Sequence, residues 1–312
     1  MNAAKRKAEP APGGLVERFL PILRPPYRFV FLTVVLVAGL AGAAYYGWQR
    51  VGTRVTQGPE YLLEPEQIEI TPPPPWIRTD VRAEAIRDGG LSDLSILDRE
   101  LTVRIARAFS VHTWVEAVRR VRKEHPARVV VDLVYRRPVA MVEVTMNGSP
   151  GLLPVDVNGV LLPPADFSAE QARDYLRVSL ADATPAGPIG TPWGDPRVDG
   201  AARIAAVLQD HWKRLGLYRV SVDPTGPSTL APAEIVFVLS TRGGAQIVWG
   251  TAPLANSVPD VKAALAKVER LGAYVEQHGP LDGLTSGAQI DLTQATLPGQ
   301  RTASAPGLGD ES

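Results

Sequence analysis

The stretch RVVVDLVYRRPVA, at residues 128–140, decides the fold of the region around it. Every second residue of its first half is apolar: Val129, Val131, Leu133 and Tyr135. These side chains lie on one face of an extended chain, and the residues between them lie on the other. This alternation predicts a β-strand over residues 128–136 with one apolar face. Pro138 interrupts the pattern, and a further apolar run follows at 139–145. We therefore predict two consecutive strands at this point of the chain.

The residues before this stretch complete a compact α+β unit. A short strand is predicted at 66–70, a helix at 80–88 and a longer strand at 115–123. Asp98 is expected to cap a second helix. The apolar face of that helix is predicted to contain Leu97, Leu101, Ile105, Ala108 and Phe109. The order strand, helix, helix, strand, strand predicts a three-stranded sheet covered by two helices.

The residues after 145 predict a second unit, a mixed and mainly antiparallel β domain. Asn158-Gly159 lies between apolar flanks within residues 152–162, which is a strong hairpin signal. Helices are predicted at 197–215 and, after the capping residue Ser257, up to 277. The other strands are predicted at 218–222, 234–240, 245–249 and 288–296. The apolar face of the last helix is predicted to contain Val258, Val261, Leu265, Val268 and Val275.

Residues 29–48 (FVFLTVVLVAGLAGAAYYGW) contain no charged side chain. At about 1.5 Å per residue they span about 30 Å, the thickness of the hydrocarbon core of a bilayer. Residues 1–28 carry six basic and two acidic side chains, whereas the rest carries 27 basic and 31 acidic ones. The positive-inside rule predicts a cytoplasmic tail at 1–28, one transmembrane helix and an extracytoplasmic remainder. A cleaved signal peptide and a buried core helix are the alternatives.

Small residues recur at four-residue spacing in the predicted membrane helix: Gly39, Ala43 and Gly47. Such a stripe allows a second transmembrane helix to approach closely. We therefore predict that these three residues pack against another helix in the membrane.

The composition excludes several classes of chemistry. The chain has 312 residues, 33 basic and 33 acidic side chains and no cysteine, which excludes disulfides and thiol nucleophiles. A net charge of zero argues against nucleic acid as a partner. None of the four histidines has metal-ligand spacing, and the common catalytic motifs are missing from the sequence. We expect no enzyme activity, no metal, no cofactor and no small-molecule substrate.

Basic side chains cluster on the strand predicted at 115–123. They are Arg119, Arg120, Arg122 and Lys123. An ordinary solvated sheet edge explains such a cluster. A contact surface for an acidic partner or for anionic lipid headgroups explains it as well.

Five short motifs follow one another after the membrane segment. They are HTWVEAV at 112–118, HPARVVV at 125–131, YRRPVA at 135–140, LPVDVNGVL at 153–161 and IDL at 290–292. Their order and spacing resemble the FtsQ/DivIB family of bacterial cell-division proteins over about residues 60–296. The chain departs from the family pattern at Thr113, where proline is usual, and at Thr293 and Gln294, where arginine and an aromatic residue are frequent.

The resemblance implies a domain order. It implies a POTRA domain at 64–145 and a β domain at 146–297; the sequence itself predicts a linker before them, at 49–63, and a polar, disordered tail after them, at 298–312. It also implies a single-pass protein of the bacterial plasma membrane at the division septum. Its role would be that of a non-enzymatic scaffold that regulates septal peptidoglycan synthesis.

The resemblance further implies a binding site. Members of the family bind the FtsB/FtsL coiled-coil pair by strand addition at the last strand of the β domain. The corresponding residues here are Ile290, Asp291, Leu292, Thr293, Gln294 and Thr296. The basic cluster on the strand at 115–123 is the candidate contact surface of the POTRA domain for other division proteins.

Two other functions remain open at this level. One is a different membrane-tethered POTRA adaptor, in secretion or envelope assembly. The other is an anchored envelope hydrolase, which requires a cleft with converging carboxylates or a Ser/Lys pair.

Overall fold

The computed structural model describes residues 27–56, 61–91, 94–125, 127–146, 148–223, 231, 234–283 and 289–294. Residues 1–26 of the predicted cytoplasmic tail, the predicted C-terminal tail and Thr296 lie outside these residues.

The N-terminal helix α1 (Tyr27–Thr56) contains the predicted membrane segment. Its window Phe29–Gln49 has a mean hydropathy of 2.0, and none of this window is buried against the rest of the protein. The helix is therefore long and apolar enough to cross a membrane. It continues through residues 49–56, which the sequence had assigned to a linker.

The first globular unit is a small sheet with two helices. It contains β1 (Leu62–Leu63), β2 (Ile68–Ile70), α2 (Val81–Asp88), β3 (Leu94–Ser95), α3 (Leu101–Ser110), β4 (Val115–Glu124) and β5 (Arg128–Tyr135). The main sheet has the order β2-β5-β4, with β2 parallel and β4 antiparallel to β5. β1 and β3 form a separate antiparallel pair. The three predicted strands and two predicted helices of this unit are present, and the short strand β3, which was not predicted, lies between the two helices.

The core of the small unit follows from the alternation in β5. Val129, Val131 and Leu133 are buried, and they belong to one hydrophobic cluster with Ile105 and Phe109 of α3. α2 begins where the carboxylate of its N-cap residue, Asp80, accepts a hydrogen bond from the Ala83 amide. The apolar face of β5 and the apolar face of α3 thus pack together in one core.

The start of α3 differs from the prediction. The N-cap residue is Glu100, and the carboxylate of Asp98 accepts from the Glu100 amide before the helix begins. Leu97 therefore precedes the helix and is 47% exposed, so it does not belong to the buried face. The carboxylate of Asp98 is used in a short turn at 98–100, so it does not cap the helix directly.

The second globular unit is built on a seven-stranded sheet. Its strands are β6 (Pro138–Met146), β7 (Ser149–Asp156), β8 (Leu176–Ser179), β9 (Leu217–Val222), β10 (Val236–Thr241), β11 (Gln246–Thr251) and β12 (Gln289–Asp291). The order across the sheet is β12-β11-β10-β9-β8-β6-β7. Three ladders are antiparallel and three are parallel, namely β6–β8, β8–β9 and β11–β12. The sheet is therefore mixed, and the expected antiparallel majority is absent from these ladders.

The strand β6 belongs to this second sheet. The sequence had assigned residues up to 145 to the first unit, but β6 pairs with β7 and β8 and not with the small sheet. Residues 136–138 carry the chain from one sheet to the other. The protein is thus a mixed α+β structure in which Pro138 opens the larger unit.

The hairpin predicted around Asn158-Gly159 is much reduced. β7 pairs along its length with β6, after a turn at Gly148, which has a positive φ of 77°. The Asn158-Gly159 turn closes only an isolated bridge between Val155 and Leu161. Gly159 supplies the positive φ of 69° that this turn requires.

Two helices cover one face of the large sheet. α4 (Pro196–Leu208) is capped by Asp195 and ends seven residues before the predicted limit at 215, because turns follow Leu208. α5 (Val258–His278) begins at the Ser257 cap, as predicted. The residues that α5 buries are Ala264, Val268, Leu271 and Gly272.

The exposed face of α5 contradicts the prediction. Val258, Val261 and Leu265 are 64%, 39% and 39% exposed, although the sequence assigned them to the buried face with Val268. The helix is turned so that Lys267 and Arg270 reach the main chain of the sheet. An apolar stripe is therefore left on the surface of the protein.

We predict an alkaline loss of stability that depends on Tyr135. Its hydroxyl donates to the Thr71 carbonyl oxygen at 2.6 Å, and burial raises the pKa of Tyr135 to about 12. An unfolded chain loses this proton near pH 10. The contribution of Tyr135 is therefore complete below about pH 10 and is lost as the pH rises towards about 12.

The variant Tyr135→Phe tests this. The difference in unfolding free energy between the wild-type chain and the variant should fall between about pH 9 and about pH 11.5. Urea unfolding at both values measures it, and the other tyrosines cancel in the difference. A difference that is the same at both pH values would contradict the prediction.

Candidate functional site

β12 ends the large sheet in the part of the chain that the structure describes. Ile290 pairs with Ile247 of β11 in parallel register, and the Leu292 amide donates to the Val248 carbonyl oxygen at 2.9 Å. In a parallel ladder, alternate residues direct their amide and carbonyl groups towards the neighbouring strand. The main-chain groups of Ile290 and Leu292 therefore face β11, whereas those of Gln289 and Asp291 face outwards.

The side chains of this strand divide between core and solvent. Ile290 and Leu292 are 3% and 0% exposed and belong to the core of the large unit. Asp291 is half-buried, whereas Thr293 and Gln294 are exposed. The predicted partner-binding residues thus split into two that anchor the strand and three that reach the surface; Thr296 lies outside the described residues.

α5 holds the end of β12 in place. Arg270 donates to the carbonyl oxygens of Leu292 and Gln294, at 3.0 Å and 2.6 Å. Lys267 donates to the Trp249 carbonyl oxygen at 2.7 Å. Burial, followed by the neighbouring charge of Arg270, lowers the pKa of Lys267. Two cations therefore fix the main chain at this edge of the sheet.

Asp291 ends the strand with a local turn. Its carboxylate accepts from the Thr293 amide at 2.8 Å, from the Thr293 hydroxyl at 2.6 Å and from the Gln294 side-chain amide at 3.0 Å. The hydrogen bonds from Thr293 lower the pKa of Asp291. Since the outward amide of Thr293 is occupied in this way, the open edge within residues 289–294 extends over Gln289 and Asp291.

The opposite end of the sheet is β7, and it is less suited to strand addition. Pro150 and Pro154 lie in this strand, opposite Thr145 and Met141 of β6. Proline has no amide hydrogen, so it cannot donate to an added strand. Of the two ends of the sheet, β12 therefore offers the more complete set of donors for its length.

We predict that Arg270→Met loosens β12 without unfolding the protein. The change removes two charge-assisted hydrogen bonds to the Leu292 and Gln294 carbonyl groups. Amide exchange at Ile290 and Leu292 should become about tenfold faster, which corresponds to about 1.4 kcal/mol of local stability. Lys262→Met, at an exposed position of the same helix, is the matched control. Unchanged exchange at both amides would rule out this anchoring role.

The basic cluster lies on β4, an edge strand of the small sheet. Arg119 and Arg120 are exposed and form no ion pair with any residue that the structure describes. Arg122 lies 3.8 Å from Asp132 and 4.0 Å from Glu124. Lys123 donates to the carbonyl oxygens of Ile96 and Asp98. Only the first two arginines are therefore available as unpaired cations.

The residues predicted to pack against another membrane helix lie on α1. At Gly39 and Gly47 an added Cβ atom would meet no other atom within 4 Å. The stripe that these residues form with Ala43 is therefore open along the helix.

Two buried polar contacts join the two globular units, and the sequence did not predict either. Arg136 Nη1 lies 2.7 Å from Asp156 Oδ2, with side-chain exposures of 17% and 3%. Trp114 Nε1 donates to Asp166 Oδ2 at 2.6 Å, and both residues are buried. The only sequence signal was that Trp114, Arg136 and Asp156 occur within the quoted motifs.

Asp156 also organises its own turn. The same carboxylate accepts from the amides of Asn158 and Val160, each at 2.9 Å. On the other side of the contact, the Arg136 carbonyl oxygen accepts from Trp76 Nε1 at 3.2 Å. Three of the motifs that carry the family resemblance thus meet at the junction of the two units.

A cavity lined by residues of β6, β7 and β8 lies at the surface of the large sheet. Its volume is about 910 Å³, and its lining includes Glu143, Ser179 and Asp182. Glu143 lies 3.4 Å from Arg219, and no lysine belongs to the described lining. Within the described residues, no group of three or more His, Asp or Glu side chains is placed to hold a metal ion.

The chain matches no family model, and no curated protein matches it.

Proposed function

We propose that this chain is a membrane-anchored scaffold that binds partner proteins by strand addition at β12. The observation that carries the proposal is the outward orientation of the Gln289 and Asp291 main-chain groups at the end of the sheet. Unpaired main-chain groups at a sheet edge are a template for another strand. Arg270 supports this use, because it holds the end of the strand in an extended position.

The identity of the partner follows from the sequence motifs. The motifs resemble those of the FtsQ/DivIB family, so the partner is an FtsB/FtsL-like pair of single-span coiled-coil proteins. The small unit is then a POTRA domain, and the large unit is the β domain of such a protein. The protein regulates septal peptidoglycan synthesis at the plasma membrane without catalysing it.

The charges around β12 make a specific demand on the partner. Lys267 and Arg270 are cations whose donors already bind main-chain oxygens, and Asp291 is occupied by the turn at Thr293. The added strand therefore gains its affinity mainly from main-chain pairing with Gln289 and Asp291, and it gains little from new ion pairs. Thr293 and Gln294 serve to end the open edge here, which differs from the arginine and aromatic residue frequent in the family.

The proposed contact surface of the POTRA domain contains fewer basic residues than the sequence indicated. Arg119 and Arg120, on the edge strand β4, carry charges that no described acidic side chain neutralises. They form the contact surface for an acidic region of a second division protein. Arg122 and Lys123 serve the small unit itself through Asp132 and two main-chain carbonyl groups.

Co-purification tests the proposed function. The full-length chain, isolated in detergent after mild crosslinking in its own cells, should carry small single-span coiled-coil proteins in near-stoichiometric amounts. A chain in which the β4 arginines are replaced (Arg119→Glu with Arg120→Glu) should keep these partners and lose others. Recovery of secretion or envelope-assembly components in place of coiled-coil proteins would overturn the assignment to cell division.

A further inference from the structure

Four consecutive prolines, at residues 72–75, follow β2 and precede α2. A proline ring fixes φ at about −65°, and a residue that precedes a proline is restricted to an extended ψ. The first three of these prolines meet both conditions, so the sequence itself imposes the polyproline II conformation. Residues 71–74 accordingly belong to no helix or strand. We name residues 72–75 the proline segment.

Both ends of the proline segment are fixed to the small unit. At its start, the Thr71 amide donates to the Val131 carbonyl oxygen at 3.1 Å, and the Thr71 hydroxyl oxygen accepts from the Leu133 amide at 2.9 Å. At its end, the Ile77 amide donates to the Pro74 carbonyl oxygen at 3.0 Å, and Ile77 is buried in the core of this unit. The segment is therefore held in one conformation before a partner arrives, so that binding costs little conformational entropy.

The proline segment presents rings and carbonyl groups to solvent. Pro72, Pro73 and Pro75 are exposed, and Pro74 is half-buried. The carbonyl oxygens of Pro72 and Pro73 accept no hydrogen bond from any residue that the structure describes. Exposed rings beside free acceptors are the features that a polyproline II ligand offers to a binding groove.

The chemistry of the proline segment indicates the kind of groove that fits it. β2 lies at one end of the small sheet, but proline has no amide hydrogen with which to pair an added strand. The segment carries no ionisable side chain, so it makes no demand on the charge of a partner. Aromatic rings pack against proline rings, and an indole N–H or phenol O–H can donate to the free carbonyl oxygens.

We propose that the proline segment is a ligand for a partner protein that has a groove lined by aromatic side chains. The segment lies in the small unit, whereas β12 lies in the large unit, so the two docking surfaces are separate. The inference goes beyond the proposed function and does not depend on it. The partner recognises a preformed polyproline II turn and forms no strand ladder with this chain.

A photocrosslinker beside the proline segment tests the proposal. The natural chain contains no cysteine, so Arg78→Cys introduces a single thiol. Arg78 is exposed, and its side chain makes one hydrogen bond, with Gln171. The full-length variant is labelled with benzophenone maleimide, added to a detergent extract of its own cells and illuminated. The crosslinked peptide of the captured protein should contain or adjoin aromatic residues.

Competition separates recognition of the prolines from chance capture. A synthetic peptide of residues 71–78 (TPPPPWIR) keeps the polyproline II conformation, because the prolines impose it without help from the fold. An excess of this peptide should lower the crosslinking yield at least about fivefold. The same peptide with Pro72→Ala and Pro73→Ala should leave the yield unchanged.

The same substitutions in the full-length chain complete the test. Pro72→Ala with Pro73→Ala, added to Arg78→Cys, should lower the yield at least about fivefold. Pro188→Ala, at an exposed proline of the large unit, is the matched control and should not change the yield. Equal yields with and without the two prolines would show that they act only as a stiff connector, and would overturn the proposal. It would also be overturned by the absence of any adduct, by an adduct remote from aromatic residues or by a yield that the proline peptide does not lower.

Discussion

Replacing Asp156 with alanine is expected to destabilise the folded chain by about 3–5 kcal/mol, because it leaves the Arg136 guanidinium unpaired at a buried site. The ion pair is 2.7 Å long, and the Asp156 side chain is only 3% exposed. The same change removes the acceptor for the Asn158 and Val160 amides. The turn that leads out of β7 would lose its hydrogen bonds together with the junction.

A double-mutant cycle separates the contribution of the ion pair from that of the hydrogen bonds in the turn. Asp156→Asn keeps an oxygen acceptor for the two amides, and Arg136→Met removes the charge that needs neutralisation. We expect the double variant Arg136→Met/Asp156→Asn to be more stable than the sum of the single changes indicates, by about 1–3 kcal/mol. Urea unfolding of the full-length chain in detergent measures all four forms. Strict additivity of the two changes would show that the pair makes no specific contribution.

Placing proline at Asp291 is expected to weaken binding of the partner pair by about 5- to 150-fold in Kd, because one outward amide is lost and a partner carbonyl stays unpaired. The Asp291 amide faces away from β11, so its loss costs no hydrogen bond within the sheet. Proline is tolerated at such a position of an edge strand. Leu292, in contrast, donates to Val248 and is fully buried, so proline there would damage the fold itself.

The matched control is Asp291→Ala, which also loses the turn with Thr293 but keeps the amide. The Kd for the co-purified partner pair is measured with each full-length variant. It should be higher for the proline variant than for the alanine variant by most of the about 5- to 150-fold factor. Gln289→Pro, at the other outward amide, provides a second test if the first variant folds poorly. Equal affinities of the proline and alanine variants would exclude main-chain pairing at this strand.

Much of the fold could be predicted because its signals are local. The alternation of Val129, Val131 and Leu133 sets one face of β5, and Ser257 sets the start of α5. The pairing partners of the strands were less accessible. The sequence of β6 is an apolar run that fits either of the two sheets. Its parallel pairing with β8 joins residues about 36 positions apart, so no local pattern indicates it.

The error in the buried face of α5 has a reason that lies outside the sequence of the helix. The sequence pattern of α5 favours burial of Val258, Val261 and Leu265, but long-range hydrogen bonds from Lys267 and Arg270 to β11 and β12 orient the helix differently. A periodicity argument contains no information about such acceptors.

The candidate site could be predicted in position but not in detail. The motif at 290–292 indicated the strand, and the structure puts it at the end of the sheet. Two contacts at this strand could not be predicted: Asp291 closes the edge by binding Thr293, and Arg270 binds the Leu292 carbonyl oxygen. Both contacts depend on side chains that only the fold brings together. The contact between Arg136 and Asp156 was hidden for the same reason.

Amide exchange at β12 in the complex tests strand addition most directly. In the free chain the Asp291 amide faces outwards, whereas the Leu292 amide already bonds to Val248. When the full-length chain binds its partner pair, exchange at Gln289 and Asp291 should slow by about tenfold or more, with little change at Ile290 and Leu292. An Asp291 amide that exchanges equally fast in the free chain and in the saturated complex would exclude strand addition at β12.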